Sequence, residues 1–227
     1  MENLDIRYKN GGFMAEVIGQ GIPNAVIGRL PKYYRYLRDI ERKGEVRVSS
    51  AKMSKDMGLN ASQIRRDLNY FGGFGQQGFG YSVANLKAEI AGILGIDRTY
   101  NVVIMGAGNL GHALIGYTKF AQLGFNIIGM FDICENKIDG KTVRHINELS
   151  AVCEENGGID IGVICTTKDA AQATAERLEQ LKVKGIWNFA PVDVTVSPDI
   201  AVKNVHLNDS LFELCFCMSA IELGQAE

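Results

Sequence analysis

One stretch of the chain, residues 100–132, constrains the fold more than any other. It opens with an apolar run, residues 102–105, that is typical of a strand buried on both faces. The glycine-rich turn GAGNLG (residues 106–111) follows at once, and a helical pattern with Leu110, Leu114, Tyr117 and Ala121 on one face comes next. A second apolar run, residues 126–131, ends in Asp132. This order of strand, glycine turn, helix, strand and acid predicts a Rossmann dinucleotide-binding unit.

The residue types of the turn fit a bound pyrophosphate. Gly106 permits a tight turn out of the strand, Gly108 lets the backbone approach the ligand, and Gly111 lets the helix pack on the strand. Amide groups at the start of the helix face the anion. The other residues of the predicted cofactor site in this turn are Ala107, Asn109 and Leu110. A glycine-rich turn that binds nothing, or a different nucleotide, is the alternative.

Asp132 predicts which dinucleotide is bound. It lies 21 residues beyond Gly111, where an acid accepts hydrogen bonds from ribose hydroxyls. A 2′-phosphate would be repelled there, and Ile133 and Cys134 supply no arginine to hold one. The predicted cofactor is therefore NAD⁺/NADH and not NADP(H).

Further apolar runs extend this unit into an α/β sheet. We predict helices over residues 147–155 and 169–181 and strands over residues 161–165, 185–188 and 200–205. Thr166 and Thr167 follow one strand and residues 188–191 follow another, at the edge where open α/β sheets bind ligands. A last helix, residues 209–223, has a broad apolar face, which fits either a core position or exchange with a second subunit.

Charge is distributed unevenly along the 227 residues. Residues 25–82 hold 11 Lys and Arg against 5 Asp and Glu, a balance of +6, whereas residues 83–227 hold 11 against 18, a balance of −7. A polyanion partner for the first part, or chance, explains this imbalance. The longest apolar runs fall short of the roughly 18 residues of a membrane helix, and the start of the chain has no export-signal pattern. Five scattered cysteines predict reduced, mostly buried thiols in a cytoplasmic protein without a metal site.

The basic part follows a helix-turn-helix plan. A first helix spans residues 25–43, although Pro31 favours a start nearer Leu30. Ser50 is the predicted cap of a second helix, residues 51–57, and a turn at residues 58–60 leads into a third helix that ends near Phe71. The first helix has a basic face, either solvated or facing DNA, made of Arg29, Lys32, Arg35, Arg38 and Arg42.

The third helix has the side chains of a DNA-reading helix. Ile64, Leu68 and Phe71 share its inner face. The candidate DNA-binding residues on this helix are Ser62, Gln63, Arg65, Arg66 and Asn69, which suit base edges and phosphates. A glycine-rich hairpin, residues 72–81, is either a wing that reaches a minor groove through Gln76 and Gln77 or a purely structural hairpin.

These patterns divide the chain into four segments. Residues 1–24 are a predicted tail, residues 25–82 a winged-helix DNA-binding domain, and residues 83–206 a Rossmann domain that begins with a linker helix over 83–95. Residues 207–227 form the closing helix.

Several motifs in this order closely resemble the Rex family of redox-sensing transcriptional repressors, over about residues 25–222. The motifs are residues 30–37 (LPKYYRYL), 63–72 (QIRRDLNYFG), 78–81 (GFGY), 106–111 (GAGNLG) and 188–191 (NFAP). The resemblance implies a homodimer that binds an AT-rich palindromic operator and releases it when NADH replaces NAD⁺. It also implies a closing helix that is swapped between subunits.

The resemblance carries further roles onto individual residues. Phe189 matches an aromatic residue near the nicotinamide, and Arg35 and Tyr117 match two members of a trio that couples cofactor to DNA. Tyr117 is also a predicted cofactor-binding residue. His206 stands where the family commonly has an aspartate, and Gln76 and Gln77 stand where many relatives have a basic residue.

An enzyme is the main competing class, and the sequence argues against it. An NAD-dependent oxidoreductase needs a substrate domain, which the roughly 120 residues of Rossmann unit leave no room for. Tyr117 and Lys119 have the wrong spacing for a catalytic YxxxK pair, and His112 has no evident substrate arginine. A CoA- or nucleotide-binding module is the third class, and Asp132 argues against that one.

Overall fold

A computed structural model describes residues 22–71, 75–76, 80–134, 136–138, 141–222 and 224. The chain forms two compact units, of which the first ends at Arg98 and the second begins at Thr99. Most of the predicted tail, residues 1–21, lies outside the described residues. The last tail residue, Asn24, already begins the first helix.

The described part of the first unit combines four helices with a small antiparallel sheet of strand order β1-β3-β2. Its elements are α1 (Asn24–Arg42), β1 (Arg47–Val48), α2 (Ser50–Met57), α3 (Ala61–Asn69), β2 (Gly75–Gln76), β3 (Gly80–Ser82) and α4 (Val83–Leu94). Helix α2, the turn and helix α3 form the predicted helix-turn-helix. The α+β winged-helix plan is therefore confirmed.

Helix α1 begins at Asn24 and continues past Pro31, so the prediction of a start near Leu30 is wrong. Inside a helix, proline removes one backbone hydrogen bond and its ring crowds the carbonyl four residues earlier. Burial of Val26 and Leu30 in the core offsets this cost and favours the longer helix. Tyr33 is fully buried on this helix, whereas the neighbouring Tyr34 is only partly buried.

Local capping sets the bounds of α2 and α3. The Ser49 hydroxyl, one residue before the predicted cap Ser50, accepts a hydrogen bond from the Lys52 amide at 3.1 Å. Gly58 ends α2 in the left-handed region, with φ of 66°. The Asn60 side chain then accepts from the Ser62 amide at 2.8 Å and starts α3.

Helix α4 packs into the first unit, although we predicted that residue 83 begins the second domain. Val83, Leu86 and Ile90 are buried in the same core as Leu37 and Ile40 of α1. By packing, the boundary therefore falls at Arg98 and not at residue 82. A helix that follows strand β3 directly buries its apolar face on its nearest neighbours, and a helical pattern alone does not specify that neighbour.

The second unit is an α/β domain built on a seven-stranded sheet of order β10-β9-β8-β4-β5-β7-β6. Six strands are parallel, and only β6 pairs antiparallel among the described strands. The elements are β4 (Tyr100–Met105), α5 (Asn109–Ile115), α6 (Lys119–Gln122), β5 (Phe125–Asp132), β6 (Asn136–Ile138), β7 (Lys141–His145), a 3₁₀ turn (Ile146–Glu148), α7 (Leu149–Glu155), β8 (Ile161–Ile164), α8 (Lys168–Gln180), β9 (Gly185–Asn188), β10 (Ala201–Asn204) and α9 (Leu207–Glu222). This confirms the predicted Rossmann-type domain. Strands β6 and β7 were not predicted, because their sequence is mostly polar and has no apolar run.

The direction of winding reverses at strand β4. From β4 the chain moves outward to β5 and β7, and then crosses through α7 to β8 on the other side of β4. The carboxyl ends of β4 and β8 therefore border a crevice, which is where open α/β sheets bind their ligands.

The helix after the glycine turn is broken, contrary to the predicted single helix through Ala121. Helix α5 ends at Ile115, and Gly116, Tyr117 and Thr118 separate it from α6. Glycine is a poor helix former and threonine favours helix ends, so these residues interrupt the apolar pattern on which the prediction relied.

Helix α9 does not pack into the core of its own chain. Its apolar side chains are each more than half exposed, namely Leu207, Leu211, Phe212, Leu214, Phe216, Met218 and Ile221. Of the two alternatives for the closing helix, a core position within its own chain is therefore wrong. None of the described helices is both long enough and apolar enough to cross a membrane.

Candidate functional site: a dinucleotide crevice and a helix-turn-helix surface

Two glycines of the turn are required by the fold itself. Gly106 has φ of 106°, and a Cβ there would lie 2.7 Å from the carbonyl carbon and oxygen of Cys165. A Cβ on Gly111 would lie 2.1 Å from the carbonyl oxygen of Gly106. Helix α5 can therefore begin this close to strand β4 only with glycine at both positions.

Gly108 differs from Gly106 and Gly111, because no atom of the described residues beyond its adjacent residues in the chain lies within 4 Å of a Cβ built there. Its φ of −76° is open to any residue. Neither the backbone conformation nor local packing explains glycine here. Gly108 and Asn109 are exposed, whereas Ala107 and Leu110 are partly buried, so the turn presents its backbone to the crevice.

Asp132 is held against the glycine turn. Its Oδ2 accepts a hydrogen bond from the Ala107 amide at 2.7 Å, and its Oδ1 accepts from the amides of Ile133 at 2.7 Å and Cys134 at 3.4 Å. A carboxylate has about four acceptor positions, so these three bonds leave one, on Oδ2, for a ribose hydroxyl. Asp132 thus joins the carboxyl end of β5 to the turn that follows β4.

Thr166 and Thr167 follow strand β8 on the other side of the crevice. Thr166 borders the turn directly, since its amide nitrogen lies 3.0 Å from a Cβ built on Gly106. The buried Thr166 hydroxyl has no hydrogen-bond partner among the described residues, whereas Thr167 is exposed. Buried hydroxyls normally have partners, so the Thr166 hydroxyl suits a polar ligand in the crevice.

The loop after strand β9 is organised by Asn188, for which the sequence predicted no role. Asn188 is fully buried, and its Nδ2 donates to the Val192 carbonyl at 2.7 Å and to Asn204 Oδ1 at 2.9 Å. Its Oδ1 accepts from the Ala190 amide at 3.0 Å. These bonds fix the backbone around Phe189, whose partly buried ring contacts Trp187 at a centroid distance of 4.5 Å.

Tyr117 lies in the break between α5 and α6 and is 47% exposed. Its ring meets the edge of Phe120 at 4.9 Å, and Phe120 in turn contacts Trp187 at 6.1 Å. An aromatic series therefore connects Tyr117 to the residue that supports Phe189.

His206 immediately precedes α9 and pairs with Asp193. Its Nε2 lies 2.9 Å from Asp193 Oδ1, and both side chains are substantially exposed. The partner is thus Asp193 from the preceding loop and not the nearby Asp209. An aspartate at position 206 would face this carboxylate, which gives a physical reason for the histidine.

The outer surface of α3 presents the predicted polar side chains. Ser62, Arg65, Arg66 and Asn69 are exposed, and Gln63 is partly exposed. Lys32 and Arg35 are exposed on α1. Gln77 lies outside the described residues, and of Gln76 only the backbone is described, in strand β2. The wing prediction is therefore documented only by the pairing of β2 with β3.

Arg65 and Arg66 differ in how they are held. The guanidinium of Arg65 donates to the Ser50 hydroxyl at 2.9 Å and to the Ser62 hydroxyl at 3.1 Å. Among the described residues Arg66 has no such contact. The orientation of Arg65 is therefore set before any ligand binds.

The inner surface of α3 carries a buried charge that the sequence reading missed. Asp67 is only 2% exposed and accepts from Arg29 Nε at 2.6 Å, from Arg29 Nη2 at 2.8 Å and from the Tyr33 hydroxyl at 2.6 Å. Burial, followed by the hydrogen bond to Asp67, raises the pKa of Tyr33 above its usual value, so its hydroxyl stays protonated and donates. Arg29 therefore belongs to this contact and not to a solvated basic face.

The thiols do not suggest catalysis. Burial raises the pKa of Cys165, at the carboxyl end of β8, to about 11, so the thiol is protonated at neutral pH and is a poor nucleophile. All five cysteines are free, and Cys134, Cys215 and Cys217 are exposed, so the prediction of mostly buried thiols is wrong. Cys215 and Cys217 lie on α9, which its own chain leaves uncovered. In the described part of the chain no cluster of His, Cys, Asp or Glu is placed to hold a metal.

Comparison with family models assigns both units. Residues 21–69 match a model described as the N-terminus of putative DNA-binding proteins, and residues 97–192 match one described as a CoA binding domain. The first match covers the helix-turn-helix, and the second covers the glycine turn and the strands around the crevice.

Whole-length relatives are more specific. The redox-sensing transcriptional repressor Rex of Thermoanaerobacter sp. (strain X514) is 47% identical over 203 residues, which is 88% of this chain and 90% of that protein. The Rex protein of Clostridium botulinum (strain Hall) is 48% identical over 208 residues, or 89% of this chain and 98% of that protein. These relatives are named as repressors and not as enzymes, in agreement with the predicted class.

Solved structures agree with the sequence relatives. A crystal structure of the Rex-family repressor RSP with beta-NAD⁺ and operator DNA has a TM-score of 0.81 and 47% identity, and covers 90% of this chain and 95% of that one. The same repressor with beta-NADH has a TM-score of 0.79 and 44% identity, over 90% of this chain and 97% of that one. The chain belongs to the Rex family of redox-sensing transcriptional repressors.

Proposed function

We propose that this protein is a repressor that binds operator DNA through its first unit and releases the DNA when NADH replaces NAD⁺ in its second. The observation that carries the proposal is the crevice at the carboxyl ends of β4 and β8. There an open glycine backbone at Gly108, a fixed acid at Asp132 and an unpaired hydroxyl at Thr166 border one space. A family member of similar fold binds NAD⁺ with operator DNA, and also NADH.

Each part of the crevice suits one part of the cofactor. The glycine turn, residues 106–111, would hold the pyrophosphate, and Asp132 would accept a hydrogen bond from a ribose hydroxyl. Thr166 and Thr167 would contact the ligand from the β8 side, and Phe189 would lie beside the nicotinamide. When bound, the cofactor supplies a nicotinamide ring whose charge depends on its redox state, and the surrounding side chains would respond to that charge.

The DNA-binding residues would contact different parts of the DNA according to their position in the fold. Helix α3 would enter the major groove and read base edges through Ser62, Gln63, Arg65, Arg66 and Asn69. Lys32 of α1 would contact phosphate, and the wing with Gln76 and Gln77 would approach the neighbouring minor groove. A two-fold protein matches a palindromic site, and we propose an AT-rich one.

A homodimer with a swapped closing helix would cover the apolar surfaces that a single chain leaves open. Helix α9 exposes its apolar side chains. One face of the sheet has an apolar hollow of about 280 Å³ lined by residues that include Ile104, Phe120, Val163 and Trp187. Exposed apolar areas of this kind mark interaction surfaces. We propose that the dimer acts in the cytoplasm, where the NADH/NAD⁺ ratio is set and the thiols stay reduced.

Coupling between cofactor and DNA would involve Arg35, Tyr117 and His206. Tyr117 follows the helix that begins at the glycine turn, and Arg35 lies on α1 of the DNA-binding unit. His206 immediately precedes the first residue of α9 and is paired with Asp193. A change at the nicotinamide would thus reach an element that joins the two subunits.

A mobility-shift titration tests the function. The unaltered protein is incubated with AT-rich palindromic duplexes, and NAD⁺, NADH or CoA is added. We expect NADH to release the DNA, NAD⁺ to leave it bound, and CoA, after which the matching domain model is named, to have no effect. Release by CoA, or no difference between NADH and NAD⁺, would contradict the proposal.

A further inference from the structure

We infer that the buried carboxylate of Asp67 is a positioning residue that sets the rotation of α3 about its own axis. It would thereby decide which α3 side chains face DNA, and so the specificity of operator recognition. The inference deepens the proposed function and rests on it. Its basis is a set of charged contacts on the inner side of the DNA-reading helix, opposite the side chains that would contact bases.

The geometry restrains α3 in direction as well as in distance. Arg29 presents Nε and Nη2 to the two oxygens of Asp67 at 2.6 and 2.8 Å, so the planes of guanidinium and carboxylate are aligned. Tyr33 adds a third bond of 2.6 Å. Arg29 and Tyr33 lie four residues apart on α1 and hence on one face of that helix. One face of α1 therefore donates all three hydrogen bonds to one residue of α3.

Apolar packing alone would not impose this restraint. Ile64 and Leu68 hold α3 in the core, but contacts between apolar side chains are non-directional and tolerate small rotations. A rotation by one residue position is about 100°, so even a fraction of it moves the outer side chains across a groove. The three hydrogen bonds to Asp67 are lost by such a rotation.

The outer surface of α3 depends on the same rotation. The guanidinium of Arg65 reaches Ser62 on its own helix and Ser50 on α2, so its contact with Ser50 is made only while α3 keeps its orientation. The contacts of Asp67 on the inner side of α3 and the contact of Arg65 with Ser50 on its outer side thus favour the same rotation of α3. Buried ion pairs often contribute little to net stability, which makes specificity the property to measure.

The central test replaces the charged pair by apolar side chains of similar size, in the double variant Arg29→Met/Asp67→Leu. The matched control is Glu41→Leu/Lys87→Met, which removes an ion pair that also begins on α1 but ends on α4. Affinities are measured by fluorescence anisotropy for an AT-rich palindrome selected by the unaltered protein and for the same duplex with scrambled bases. Thermal unfolding and NADH binding are recorded for each protein.

We expect both double variants to fold and to bind NADH like the unaltered protein. The ratio of palindrome to scrambled affinity should fall about tenfold or more in the Asp67 variant, which is the worth of a well-placed bidentate base contact. In the control variant the ratio should stay within about twofold. If the Asp67 double variant does not fold, Arg29→Lys decides instead. It keeps the charge but not the two-point contact, and should lower the same ratio.

An unchanged ratio in the Asp67 variant, or an equal fall in the control variant, overturns the inference while the proposed function stands. If the unaltered protein selects no palindrome over scrambled duplexes, the proposed function is overturned and the inference with it. Loss of NADH binding in the Asp67 variant would mean general damage and would also overturn the positioning role.

Discussion

At the scale of single residues, the three glycines of the turn look alike in the sequence and differ in the structure. Gly106 and Gly111 are required because a Cβ would collide with backbone atoms of Cys165 and of Gly106 itself. Gly108 meets nothing within 4 Å. A residue whose small size its own fold does not require is best explained by a molecule that the fold binds.

This difference gives a prediction at Gly108. The variant Gly108→Ala should unfold at nearly the same temperature as the unaltered protein and should lose about 1–3 kcal/mol of NADH binding, because the methyl group separates the pyrophosphate from its backbone donors. Gly111→Ala is the contrast, since overpacking there should cost about 1–3 kcal/mol of folding stability. Calorimetric unfolding and NADH fluorescence titration measure the two quantities. Unchanged NADH affinity in Gly108→Ala would place the pyrophosphate elsewhere.

A second prediction at this scale separates the two arginines of α3. Arg65 is held by Ser50 and Ser62, and an ordered guanidinium loses less entropy on binding. Arg65→Ala should therefore cost about 1–3 kcal/mol of operator binding and much less of random-DNA binding, as expected for a base contact. Arg66→Ala should weaken both about equally if it holds phosphate. Anisotropy titrations at two salt concentrations distinguish them, and no loss at either position would refute the assignment of α3.

At the scale of elements, α9 combines an apolar sequence with an exposed position. Its apolar side chains are exposed over its whole length, from Leu207 to Ile221. The described residues of a single chain therefore do not bury this apolar face. In the proposed homodimer, a second copy of the chain would supply the missing surface.

The prediction for this element is a change of oligomeric state. The variant Leu211→Glu/Leu214→Glu should convert a dimer into a monomer, because two charges cannot be buried unpaired in an apolar interface. Palindrome binding should fall with it, since one subunit reaches only one half-site. Asp209→Asn/Glu213→Gln on the same helix is the matched control. Light scattering gives the mass, and a double-glutamate variant that remains dimeric would exclude α9 from the interface.

At the scale of the whole molecule, the central property is the link between NADH and DNA. Two ligands that bind to separate units of one chain influence each other only if the protein has two states that both ligands distinguish. The influence is reciprocal: if NADH weakens operator binding by some factor, operator weakens NADH binding by that factor.

We therefore predict that operator DNA lowers the NADH affinity of the unaltered protein, and that Tyr117→Phe diminishes this effect while NADH still binds to the free protein. Removing the hydroxyl leaves the ring contact with Phe120 intact, so the change is confined to one polar group. NADH titrations with and without the palindrome measure both statements. Equal NADH affinities in the unaltered protein would mean that the two units share a chain but no switch.

The sequence by itself determined the elements whose signals are local. The strand, glycine turn, second strand and Asp132 were predicted in their observed order, and strand β9 was predicted with its observed bounds, 185–188. Such signals are local because an apolar run or a glycine at a turn depends only on nearby residues. The helix-turn-helix follows for the same reason, since Gly58 and Asn60 act within a few residues.

Tertiary structure alone decided the contacts between distant parts of the chain. Asp67 lies 38 residues from Arg29, and nothing near Asp67 distinguishes it from an exposed acid until α1 is packed beside it. The bond from Ala107 to Asp132, the three bonds of Asn188 and the pairing of His206 with Asp193 are of the same kind. Periodicity tells which face of an element is buried but not what it is buried against, because the partner is chosen by the packing of the whole chain.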